Sequence, residues 1–81
     1  MSETALLSPL EPVVRASIAD QVFDVLHQQV LSLALPPGTK MSEAEIAKQL
    51  NVSRQPVRDA FYRLSKLGFL LIQPQKATQV S

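Results

Sequence analysis

The stretch Asn51-Val52-Ser53-Arg54-Gln55-Pro56-Val57-Arg58-Asp59-Ala60 combines a sharp turn with the start of a helix, and few folds accommodate that combination. Asn51 falls where the chain must bend between two helices, and after glycine, asparagine best tolerates a positive φ. Ser53 is the next N-cap, and Pro56 sits in the first helical turn, where a missing N–H breaks no intrahelical bond. Val52, Val57, Ala60, Phe61, Leu64 and Leu67 recur at helical spacing and can face a core. Arg54, Gln55, Arg58, Tyr62, Arg63 and Lys66 are left on the other side. A helix that is apolar on one face and basic at its front has the form that major-groove readout requires.

The flanking sequence supplies a consistent set of elements. Residues 1–16 contain Pro9 and Pro12 without a sustained period, and are expected to be a flexible tail. Ser17 reads as an N-cap, and Ile18, Val22, Val25, Leu26, Val30 and Leu33 form one amphipathic helix. Pro36-Pro37-Gly38 stops and turns the chain, with room for a very short strand at Thr39, Lys40 and Met41. Ser42 opens a second helix with Glu45 three residues on, the pattern of a capping box. Ile46, Ala47 and Leu50 form the buried edge of that helix. Gly68 closes the third helix at C′. Phe69 to Gln73 then reads as an apolar strand, Pro74-Gln75-Lys76 as a turn, and Ala77 to Val80 as a returning strand. The expected fold is mainly α with a small β hairpin, a winged helix-turn-helix over residues 17–81.

Eighty-one residues with 46% apolar and 19% charged content suit one small globular domain. Net charge is only +1, yet its placement is lopsided. Residues 1–50 carry three basic and six acidic side chains, and residues 51–81 carry five basic against Asp59 alone. An anionic partner is expected for the second half. Zero cysteines exclude disulfides and thiolate metal sites. No apolar run spans a bilayer and no signal peptide is evident, so a cytoplasmic protein without a membrane partner is expected. One histidine and no glycine-rich phosphate loop leave nothing for nucleophilic or metal catalysis, so no enzyme, metal or cofactor is expected. His27, beside Asp24, is read as a surface or packing residue.

Residues 17–80 resemble the N-terminal DNA-binding domain of GntR-family bacterial transcription regulators. The resemblance is carried by Leu35-Pro36-Pro37-Gly38-Thr39, Ser42-Glu43-Ala44-Glu45-Ile46-Ala47, Val52 to Ala60, Leu64 and Gly68. Ser42-Glu43-Ala44-Glu45 is more similar to the FadR-type (FCD) branch than to branches with Pro-Ser-Glu-Arg. The resemblance implies a homodimeric parent protein with a small-molecule effector bound by a C-terminal domain absent from this chain. Ala44 stands where the branch's name-giving member has a DNA-reading arginine. Pro74-Gln75-Lys76 replaces the His-Gly or Asn-Gly common in the family's wing.

The expected DNA-binding residues are Ser42, Ser53, Arg54, Gln55, Arg58, Tyr62 and Lys76. Arg54 can fork onto guanine O6 and N7, and Gln55 can pair with adenine or bond phosphate. Arg58, one turn further along the same face, reads a base or clamps a phosphate. Ser42 and Ser53 cap helices whose N-terminal amides and dipoles favour an anion. Tyr62 can direct its hydroxyl, and Lys76 its ammonium, toward the DNA backbone. Asp59 is expected to orient Arg63 or Arg58. One domain reads few base pairs, so double-stranded DNA with a palindromic operator, bound by a symmetric dimer, is the expected target of a repressor. Little apolar surface is expected to remain outside the core for a dimer contact. The alternative from another class is a winged-helix protein-interaction module without DNA binding.

Overall fold

In the computed structural model, residues 17–81 are described, and the tail expected over residues 1–16 lies outside them. Helix α1 covers Ile18–Leu31. Ser17 starts it with a full capping box: its hydroxyl accepts the Asp20 N–H at 3.0 Å, and the Asp20 carboxylate accepts the Ser17 N–H at 3.2 Å. The apolar period suggests a longer helix, but Leu33 lies past its end with φ 66° and is largely exposed. Strand β1, Lys40–Met41, follows the Pro36-Pro37-Gly38 turn, where Gly38 takes φ 89°.

Helix α2 covers Glu43–Leu50. The Ser42 hydroxyl accepts the Glu45 N–H at 3.2 Å, but the Glu45 carboxylate makes no return bond, so half of the expected box forms. Asn51 ends the helix in the left-handed region at φ 57° and ψ 48°. That conformation lets the Asn51 N–H reach the Lys48 carbonyl at 3.2 Å and the Val52 N–H reach that of Ala47 at 3.0 Å. Two orphan carbonyls are thereby satisfied as the chain reverses. Helix α3, Arg54–Lys66, is closed in the same way by Gly68 at φ 87°, with bonds from Gly68 to Ser65 and from Phe69 to Leu64.

Strands β2, Leu70–Leu71, and β3, Thr78–Val80, form the wing, with Gln75 at φ 60° in the turn between them. Both strands are shorter than their apolar stretches suggest. The sheet gains a third member instead. The order is β1-β3-β2, all antiparallel, with Lys40 opposite Gln79 and Leu70 opposite Val80. β1 thus ties the start of α2 to the wing.

The core gathers one face of each element. Val57, Ala60, Phe61 and Leu64 of α3 are at most 1% exposed and pack with Val22, Leu26, Met41, Ala47, Leu70 and Val80. Outside this core, α1 and α3 are clamped at the surface. Arg63 Nη1 lies 2.7 Å from Asp20 Oδ1, and its guanidinium stacks 4.3 Å over the Phe23 ring. His27 packs between Phe23 and Phe69, at ring distances of 5.2 and 4.9 Å. The expectation that little apolar surface is left over is not met. Ile18, Val25, Leu31, Leu33, Leu67, Leu71 and Ile72 are all exposed. A helical period defines a broad arc; on α1 the core buries Val22 and Leu26, packs Phe23 and Val30 against its edge, and leaves Ile18 and Val25 exposed.

Candidate nucleic-acid interface

The αL turn at Asn51 launches α3 away from α2 and leaves the front of α3 uncovered. Arg54 and Arg58 are one turn apart there, with side chains 61% and 56% exposed. Tyr62 extends the same row and is exposed, with the Lys66 ammonium 5.4 Å over its ring. Ser53 occupies the N-cap position of α3, but its side chain makes no cap hydrogen bond. The expected capping role is therefore met in position only. Ser17 and Ser42 accept the N–H of the third helical residue, but in α3 that residue is Pro56, which has none to donate.

A shallow depression beside the wing is lined by Ser42, Ala44, Arg54, Gln73 and Lys76 among others. The fold thus brings Ser42, Arg54 and Lys76 from three separate elements to one edge. Ser53 and Gln55 line a different hollow, with Ile18, Val52 and Asp59. The Gln55 side-chain amide donates to Asp59 Oδ1 at 2.9 Å. Asp59 therefore orients Gln55, and not Arg63 or Arg58 as their proximity on α3 suggests. The two arginines are drawn instead to acids on other helices, Arg63 to Asp20 of α1 and Arg58 to Glu43 of α2.

Glu43 is the residue that sequence reasoning did not single out. Its Oε1 lies 3.5 Å from Arg54 Nη2 and 3.3 Å from Arg58 Nε, so one carboxylate on α2 holds both arginines at the front of α3. The available signal was its place in the first turn of α2, directly after the Ser42 cap and next to the helix that follows the turn. Among the described residues no cluster of histidine and acidic side chains can hold a metal ion. No described helix is long and apolar enough to cross a membrane.

Three helices, a three-stranded wing sheet and an exposed basic helix front define a winged helix-turn-helix domain of the DNA-binding kind. Residues 18–80 match the model of the bacterial regulatory proteins of the gntR family, and the chain belongs to that family. Over its whole length the chain is 36% identical to the HTH-type transcriptional repressor RspR of Escherichia coli K12, covering 33% of that protein. It superposes on E. coli McbR/YncC with a TM-score of 0.76 at 35% identity, over 82% of this chain and 31% of the other. On the AraR DNA-binding domain in complex with operator ORX1 the TM-score is 0.75 at 25% identity, over 98% and 95% of the two chains. The chain spans about a third of the length of the curated relatives it matches. Family membership makes this the DNA-binding domain of a transcription regulator, and its relatives are regulators rather than enzymes.

Proposed function

We propose that residues 17–81 are the operator-reading unit of a metabolite-responsive repressor that binds a palindromic site as a dimer. The observation that carries this reading is the exposed row Arg54, Arg58 and Tyr62 on a helix launched outward by the Asn51 turn. Arg54 forks onto a guanine edge in the major groove, Gln55 pairs with an adjacent base or phosphate, and Arg58 follows one turn along. Ser42, Ser53 and Lys76 bond phosphates at the flanks, and Tyr62 bonds the backbone beyond. Repression is supported by the name of the RspR relative, and an operator target by the AraR complex. Dimerisation and effector binding belong to the parent protein, in a ligand domain of the FadR type. That branch is supported by Ser42-Glu43-Ala44-Glu45, and the greater length of the relatives leaves room in them for such a domain.

Titration of the chain against random-sequence duplex DNA at several salt concentrations tests the electrostatic basis of this reading. With about 4 phosphates neutralised per domain, log K falls against log salt with a slope near −4. A flat response over the same range contradicts DNA binding by this surface and favours a protein partner.

A further inference from the structure

Glu43 places one carboxylate between the two arginines at the front of α3. Its side chain is 25% exposed, less than half the exposure of either arginine. It sits in the first turn of α2, where the helix dipole favours an acid, so the anion is anchored on the side away from α3. We propose that Glu43 sets the sequence discrimination of this interface: it positions Arg54 and Arg58 toward base edges and penalises their use on phosphates. The inference rests on the DNA-reading role proposed above.

The argument starts from the donors. A guanidinium carries five N–H groups in a planar fork. Arg58 spends its Nε on Glu43, which leaves both Nη groups for a second acceptor. Arg54 meets the same carboxylate through Nη2. On a matching sequence, an arginine held in this way donates to guanine O6 and N7 from the remaining edge of its fork and keeps its acid. On a random sequence a guanine edge faces the same arginine only by chance, and otherwise it turns to phosphates. To reach them it leaves Glu43, and the abandoned carboxylate then faces a polyanion. The cost falls on random DNA and spares the matched site. Two carboxylates in the first turn of α2, Glu43 and Glu45, distinguish this mechanism from bulk charge, because no ion pair links Glu45 to either arginine.

The test uses the full chain and two probes, a random-sequence duplex and a duplex selected from a randomised pool by the wild-type chain. Glu43→Gln is expected to tighten random binding roughly three- to tenfold, the worth of two exposed ion pairs, and to leave the selected duplex within about twofold. Glu43→Asp keeps the charge but shortens the reach, and is expected to lose discrimination as Glu43→Gln does. Glu45→Gln removes the same charge from the same turn and is expected to leave the ratio of the two affinities unchanged. Circular dichroism of each variant checks that helix content is retained. Discrimination equal to wild type in Glu43→Gln overturns the inference. So does full discrimination in Glu43→Asp, or a loss in Glu45→Gln as large as in Glu43→Gln. A wild-type chain that binds neither duplex in a salt-dependent way refutes the DNA-reading role itself, which separates the two failures.

Discussion

Asn51 is the hinge residue of the reading unit, because a φ of 57° there sets the direction in which α3 leaves α2. A β-branched side chain in that conformation is strained, so Asn51→Val is expected to cost about 1–2 kcal/mol in chemical denaturation. Asn51→Gly, which takes the same φ without strain, is expected to stay close to wild type. Equal losses in both would show that the Asn51 side chain, not its backbone, holds the turn. Arg54 matters at the surface instead. Arg54→Ala is expected to cost roughly 1–3 kcal/mol on a selected duplex, and less on random DNA, with the thermal midpoint unchanged. Equal losses on both duplexes would reduce Arg54 to a phosphate clamp. Asn51, Ser17, Ser42 and Gly68 were legible in the sequence because each obeys a rule of local backbone chemistry. The partners of the arginines were not. Arg63 finds Asp20 at a separation of 43 residues and Arg58 finds Glu43 at 15, and only the packed helices bring those acids near. Asp59 bonds Gln55 on its own helix because Arg58 and Arg63, its expected partners, are taken by acids from other helices.

Helix α1 is secured by one acid used twice. Asp20 closes the capping box with Ser17 and receives Arg63 from α3. The hydrogen bond from Arg63, followed by that from the Ser17 N–H, holds the Asp20 carboxyl below the usual aspartate range. The unfolded chain therefore binds this proton more readily than the native one. The stabilisation is present above the ordinary aspartate value and is lost as pH falls through the native value. Thermal unfolding is expected to move to lower temperature below about pH 4, and Asp20→Asn to be less stable at neutral pH with a flatter acid limb. An acid limb as steep in Asp20→Asn as in wild type would place the titrating group elsewhere. Ser17→Ala, which breaks the same box, is expected to cost about 1 kcal/mol. Element order was readable from caps, prolines and periods, whereas the limits of the apolar stripes were not. Ile18, Val25 and Leu67 fit the helical period as well as Val22 and Leu64 do, yet they face solvent, because a period fixes spacing and leaves the width of the covered arc open.

Across the whole molecule, the charge asymmetry of the sequence is tempered by folding. Glu43 and Asp20, from the acidic half, come to lie against Arg54, Arg58 and Arg63 of the basic half. The surface proposed to meet DNA is thus a row of partly neutralised arginines beside the wing. The exposed apolar flank of α1, where Val25 and Gln29 line hollows with Leu35, Ile46 and Leu50, is the natural rival as a contact face. Amide chemical shifts of the isotope-labelled chain, followed as a short duplex is added, decide between these surfaces. The predicted result is perturbation concentrated at residues 42–44, 53–58 and 73–76, fading as salt is raised, with Val25 and Gln29 undisturbed. Perturbation centred on the α1 flank, with the front of α3 silent, would contradict the assignment of α3 as the reading helix.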